Sequence, residues 1–351
     1  MLYSIRCFFY FSDTLKAMPS LQNALCAFFS ESELEKIRIE PISGDASSRK
    51  YVRLRSPDKT WILCIDREYT AYPTDDYPFL VVQHLFSDCS VPVPAIIGSD
   101  KKPGMILLED CGDILLQDAL TSNETKTTAL YKNAIDIMVT IQSIKADSSE
   151  LPFNRCFDEK KLMFEFTFFL EHASRHAPSQ GFSGKISTIL HREFQSITQL
   201  LLRPEYFVLN HRDYHSRNIL VSPAGSMVID FQDARMGLPQ YDAVSLLRDS
   251  YVTLEQLLVE DLQRYHYDLL LEKKLTAMSY DEYLYLFDIM AFQRNIKALG
   301  TFFNQAYYLG KKEFEQYISP TLAYLPEYIN RHTELATSGE IILNTLAKST
   351  P

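Results

Sequence analysis

Asp213, Asn218 and Asp230 are the residues of this 351-residue chain whose types and spacing suit chemistry. Asp213 lies in a loop after the strand-like Phe207-Val208-Leu209. Asn218 opens a short apolar hairpin that runs through Ile219-Leu220-Val221-Ser222, turns at Pro223-Ala224-Gly225 and returns through Met227-Val228-Ile229 to Asp230. A hairpin folds its ends together, so Asn218 and Asp230 are expected side by side, with Asp213 facing the same space. Two oxygen donors beside a separate carboxylate suit phosphoryl transfer from ATP. Mg²⁺ is a hard ion that takes carboxylate and amide oxygens and completes its shell with phosphate oxygens and water. The remaining carboxylate orients an attacking hydroxyl and accepts its proton. The metal ligands are therefore expected to be Asn218 and Asp230, and the catalytic residue Asp213.

The same residues follow a kinase catalytic loop, H-x-D-x-x-x-x-N, with His211, Asp213 and Asn218 in place and Asp230-Phe231 as the start of the second metal motif, Gln232 standing where glycine is usual. His211 is expected to brace the loop by hydrogen bonding. A zinc hydrolase reading of His211-Arg212-Asp213-Tyr214-His215 lacks further ligands, since no other histidine cluster of that type follows. Asp233 is a candidate to touch the acceptor or the metal's surroundings, or to pair with Arg235 or Arg248. Asp242 stands in the first turn of a predicted helix, where a carboxylate is favourable. His172 and His176 are expected on a solvated helix end.

Elements that position these groups follow from periodicity. Ile37–Ile42, Tyr51–Arg55, Trp61–Ile65, Ala95–Gly98 and Met105–Leu108 read as strands, with a turn at 43–48, a hairpin turn at 56–59 and a short helix over 78–86. From Leu115 the chain turns helical: Leu130, Ala134, Ile137, Met138 and Ile141 mark one apolar face, and Leu162, Phe166, Phe169 and Leu170 another. The pattern breaks at 207–230 and helices resume at Tyr241. The expected fold is α+β and two-lobed, with an extension over 1–19, a small β-rich lobe over 20–108, a connector over 109–113 and a larger helical lobe over 114–351.

Composition narrows the class. Hydrophobic residues make up 46% and charged residues 23% of the chain, the balance of a globular protein. A formal charge of −10 argues against a nucleic-acid partner. No apolar run reaches the roughly 18 residues of a membrane span, and Cys7–Phe11 is too short for a secretory core, so a cytoplasmic location is expected, with Met18 an alternative start. The six cysteines form no CxxC pair and are expected as buried reduced thiols. Oligomeric state is not written in the sequence.

Gly44-Asp45-Ala46-Ser47-Ser48-Arg49-Lys50-Tyr51, Leu107-Leu108-Glu109-Asp110-Cys111-Gly112, the catalytic loop, Val228-Ile229-Asp230-Phe231-Gln232-Asp233-Ala234, the run from Tyr241 to Tyr251 and Gln293–Gly300 occur in this order. Together they resemble the aminoglycoside phosphotransferase and choline kinase branch of the protein-kinase-like fold. Within it they resemble the bacterial N-acetylmuramate/N-acetylglucosamine anomeric kinases, which act in cell-wall recycling. The resemblance implies ATP and Mg²⁺, a small amino sugar phosphorylated at its C1 hydroxyl, and a role for Asp242 in steadying the catalytic loop backbone. It departs from protein kinases at the third strand, Trp61–Ile65, which carries no Lys and runs into Asp66; the helix-like 77–86 carries no Glu. Ser47, Arg49 and Lys50 in the turn, with Glu109 near the connector, are the expected nucleotide contacts. A choline or aminoglycoside kinase is the alternative, favoured by the acidic charge of the whole chain, and a silent pseudokinase binding module is a further one.

Overall fold

The computed structural model describes residues 21, 24–42, 49–74, 76–120, 124–145, 151–176, 182–223 and 225–347. Its contacts divide the chain into two compact units, Met1–Tyr77 with Pro94–Cys111, and Pro78–Val93 with Gly112–Pro351. The segment 78–93, grouped with the small lobe on sequence alone, makes its contacts within the larger unit.

The smaller unit is an antiparallel five-stranded sheet of order β1-β2-β3-β5-β4, with β1 at Arg38–Ile42, β2 at Lys50–Arg55, β3 at Thr60–Ile65, β4 at Ile96–Asp100 and β5 at Met105–Glu109. Alternation puts Leu54, Leu63 and Leu107 on one buried face, where Leu25, Phe29 and Met105 cover them. Helix α1 (Glu31–Leu34) precedes β1, and α2 (Arg67–Ala71) follows β3. Asp66 caps α2, its carboxylate accepting the Glu68 amide. Gly104 has φ +70°, and a Cβ there would collide with the Asp66 carbonyl. The Asp66 amide donates to the Gly104 carbonyl at 2.8 Å, so glycine permits the approach that pins Asp66.

The larger unit is mainly helical. Helix α3 (Pro78–Asp88) packs Phe79 and Phe86 on Phe231, with ring centroids 5.1 and 5.9 Å apart. After α4 (Leu116–Ala119) come α5 (Glu124–Gln142), α6 (Glu159–His176) and α7 (Gly184–Leu201). The expected strand-and-loop interlude follows, with β6 at Val208–Asn210, β7 at Ile219–Ser222, β8 at Gly225–Val228 and β9 at Arg235–Gly237. Helices α8 (Gln240–Leu247), α9 (Gln256–Glu272) and α10 (Tyr280–Phe303) complete the part that positions the site. The 24-residue α10 is buried along most of its length. Gly300 lets it lie against α6, since a Cβ there would come within 2.8 Å of the Phe169 Cα.

Two expectations are corrected. Among the described cysteines only Cys64 is fully buried, while Cys26 and Cys156 are exposed; Cys7 lies outside the described residues. His172 is not on a solvated surface: it is buried, its ring centroid 4.3 Å from that of Phe168. No helix among the described residues is long and apolar enough to cross a membrane.

Candidate active site

The hairpin does what its sequence predicts. Ile219 pairs with Val228 in the β7–β8 register. One step further the Ile229 amide donates to the Asn218 carbonyl at 3.0 Å, so Asp230 follows directly beside Asn218. The Asn218 side-chain nitrogen donates to the Asp213 carbonyl at 2.9 Å. That bond ties the loop to the hairpin and leaves the amide oxygen as the lone-pair donor of this side chain. The Gln232 amide donates to the Asp230 carboxylate at 3.0 Å. Asp230 has φ +65° and Arg212 φ +86°, left-handed conformations that L side chains adopt at a cost and that cluster at functional sites.

Asp242 holds one of these conformations in place. Its carboxylate accepts the His211 amide at 2.6 Å and the Arg212 amide at 2.9 Å. The Asp242 side chain is fully buried in the first turn of α8. Burial pushes its carboxyl up to about 7, against the opposing pull of those two amides. Asp249 acts likewise further along, accepting the Ser216 amide at 2.9 Å and the Tyr251 amide at 3.0 Å. The His211 Nε2 pairs with the Ile229 carbonyl at 3.0 Å, which links the loop to the second hairpin strand as expected of a brace. Burial holds His211 below its usual pKa and takes His215 down to about 3, so both rings are neutral at pH 7.

Asp213 itself sits among cations. Lys297 Nζ lies 2.6 Å from its Oδ1, Arg212 Nη1 3.4 Å from its Oδ2 and Arg294 Nη1 3.7 Å from its Oδ1. Burial opposes ionisation, but Lys297, Arg212 and Arg294 outweigh it and hold the carboxyl well below the usual carboxylate range. Burial in turn lowers Lys297 to about 8. The contact of Lys297 with Asp213 was not anticipated from the sequence, although Lys297 lies inside the quoted Gln293–Gly300 stretch. Asp233 pairs with Arg212 at 2.6 Å and approaches Arg235 at 3.6 Å; Arg248 instead pairs with Glu327 at 2.8 Å.

The nucleotide candidates lie in the smaller unit. Arg49 Nε donates to Asp66 at 2.8 Å, and Tyr77 OH also donates to Asp66. The β2–β3 register pairs Lys50 with Ile65, so the next step sets Arg49 opposite Asp66. The cation absent from β3 is thus present across from its end. Lys50 opens β2 and is exposed. Glu109 ends β5 and accepts the Ala95 amide at 3.2 Å. Ser47 lies outside the described residues. Arg53 forms a two-pronged pair with Asp110 at 2.7 and 3.0 Å.

A family model described as "Phosphotransferase enzyme family" (APH) matches residues 38–273. The chain belongs to this phosphotransferase family. It is a kinase of α+β fold, and membership implies ATP as the phosphoryl donor. It is 29% identical over 323 residues to the N-acetylmuramate/N-acetylglucosamine kinase of Pseudomonas aeruginosa, covering 88% of this chain and 89% of the relative. It is 29% identical over 301 residues to the protein of that name from Neisseria meningitidis serogroup B, covering 84% and 86%. Among solved structures it is similar to choline kinase from Cryptosporidium parvum, with a TM-score of 0.60 at 12% identity, covering 89% of this chain and 93% of that one. At that identity the likeness speaks to the fold alone.

Proposed function

We propose that this phosphotransferase transfers the γ-phosphoryl group of ATP to the C1 hydroxyl of an amino sugar of the N-acetylmuramate and N-acetylglucosamine class. The observation that carries the reading is the cationic ring on Asp213. Three cations within 4 Å of one carboxylate suit a neutral or acidic acceptor and repel a cationic one. Choline and aminoglycosides are cationic, and the acidity of the whole chain does not extend to this spot. Two relatives with 29% identity over most of the chain carry the amino-sugar name.

In the proposed reaction Asp213 accepts a hydrogen bond from the acceptor hydroxyl and takes its proton as the new O–P bond forms. The bond from the γ-phosphorus to the bridging oxygen breaks, and ADP leaves with that electron pair. A carboxyl held well below the usual range is a weak base, so Asp213 orients first and takes the proton late. The transition state of this transfer is loose, which suits that order. Lys297 fixes the carboxylate and sets positive charge beside the reacting oxygen. The donor set fits magnesium: one amide oxygen and one carboxylate from adjacent hairpin ends, both hard ligands. Asn218 and Asp230 would hold the ion, which when bound offsets the charge of the triphosphate. Arg49, steadied by Asp66, is the proposed phosphate contact of the smaller unit, with Lys50, Ser47 and Glu109 the other candidates there.

Release of ADP from ATP in the presence of N-acetylmuramate, N-acetylglucosamine, choline or kanamycin tests the reading. Stimulation by either amino sugar and by neither cation is expected. Stimulation by choline or kanamycin alone would replace the proposal with the alternative.

A further inference from the structure

Five cationic side chains meet three carboxylates around Asp213: Lys161, Arg212, Arg235, Arg294 and Lys297 against Glu165, Asp213 and Asp233. Lys297 is taken up by Asp213 at 2.6 Å, and Arg294, 3.7 Å from the same carboxylate, donates to the Tyr241 hydroxyl at 3.1 Å. Arg212 is taken up by Asp233 at 2.6 Å. Glu165 accepts the Gln293 amide at 2.9 Å and stands 3.9 Å from Arg212. That leaves Lys161, 3.8 Å from Glu165, and Arg235, 3.6 Å from Asp233. Both distances exceed hydrogen-bond length, so neither cation donates to a carboxylate among the described residues. In a chain of formal charge −10, these are two cations with no carboxylate at hydrogen-bond distance.

The two cations are built in. Arg235 lies over the Phe157 ring at 5.4 Å, and Phe157 stacks on Tyr241 with centroids 3.9 Å apart. Its Nε donates to the Asp233 carbonyl at 3.1 Å. Lys161 stands over Phe164 at 5.3 Å, in the first turn of α6. Their side chains keep 22% and 12% of their exposure, so both are reachable and largely immobilised. Burial, reinforced by Arg212, depresses the pKa of each, a burden that a bound anion relieves. A guanidinium and an ammonium short of acceptors are suited to take up a carboxylate. N-acetylmuramate differs from N-acetylglucosamine by a lactyl ether that bears one carboxylate.

Resting on the proposed function, we propose that Lys161 and Arg235 read the carboxylate of an acidic amino sugar and make it the preferred acceptor. The test compares kcat/KM for N-acetylmuramate, its methyl ester and N-acetylglucosamine, with KM for ATP measured alongside. The wild type favours the free acid over both neutral sugars by about ten- to a hundredfold, the scale of a charged hydrogen bond. Lys161→Met and Arg235→Gln each pull that ratio toward one, whereas Lys161→Arg keeps it. The ester comparison needs no variant and so does not depend on a variant's folding. Equal turnover of acid and ester by the wild type overturns the subsite. So does a ratio left intact in both variants while KM for ATP rises, which assigns the cations to the triphosphate. Phosphorylation of none of the three sugars overturns the proposed function, and the subsite with it.

Discussion

The smaller unit and the neighbourhood of Asp213 treat positive charge in opposite ways. In the smaller unit three arginines each have a matching carboxylate: Arg49 with Asp66, Arg53 with Asp110, Arg55 with Glu40. Around Asp213 three cations crowd one carboxylate, and nearby Lys161 and Arg235 reach none at hydrogen-bond distance. Matched pairs set register and hold strand ends. Surplus charge in a partly buried site is costly unless a ligand of opposite sign arrives. The contrast separates residues that shape the protein from residues that wait for substrate.

The contrast can be broken most severely at its centre. Asp213→Asn keeps the shape of the side chain but removes its charge and its capacity to take a proton. A fall in kcat of about 10²–10⁴-fold is expected, with a lowered melting temperature because Lys297, Arg212 and Arg294 lose their shared anion, as read by steady-state kinetics and calorimetry. Asp230→Ala is expected to weaken MgATP binding by at least about tenfold in titration calorimetry, the loss of a charged metal ligand; unchanged affinity would remove it from the metal site. Lys297 sharpens the comparison through pH. Because burial lowers it to about 8, it is charged below that pH and neutral above it. The kcat/KM profile of the wild type is expected to fall as pH rises through about 8, and Lys297→Arg to carry activity to higher pH. For stability the sign is the reverse. The folded pKa lies below the unfolded value, so Lys297 costs stability below pH 8 and that cost fades as pH rises toward the unfolded value.

Structural pairs define the lower end. Asp242→Ala removes the acceptor of two loop amides and is expected to cost about 3 kcal/mol in denaturant unfolding. Arg53→Ala, which strands a largely buried Asp110, is expected to cost roughly 3 kcal/mol or less by the same assay. Arg55→Ala breaks an exposed pair with Glu40 and is expected to leave the unfolding midpoint unchanged.

Much of this was readable in the sequence where the signal is local. The β7–β8 hairpin announced itself through apolar alternation and a Pro-Ala-Gly turn, and it carried Asn218 and Asp230 to adjacent ends. The five strands of the sheet and the helix after Tyr77 were legible for the same reason. The pairing of Arg49 with Asp66 was within reach too: counting one step past Lys50 and Ile65 sets the two across from each other. Lys297, Glu165 and Lys161 were not legible. They stand on α6 and α10, about 130 residues apart, and periodicity tells which helix face is buried without telling which polar residue turns inward. Only the approach of α6 to α10 at Gly300 and Phe169 makes neighbours of them. The overall charge of −10 misled for a related reason, because a chain-wide sum says nothing of a spot where cations gather.

The central claim is that Asp213 directs the anomeric oxygen of an amino sugar at the γ-phosphorus of ATP. Phosphorus NMR of the product formed from ATP and N-acetylglucosamine, by wild type and Asp213→Asn side by side, tests it most directly. A new phosphate signal split by the C1 proton with wild type, and its absence with the variant over the same time, is the predicted result. A phosphate on any other oxygen, or a C1 signal that grows equally fast with the variant, would contradict it.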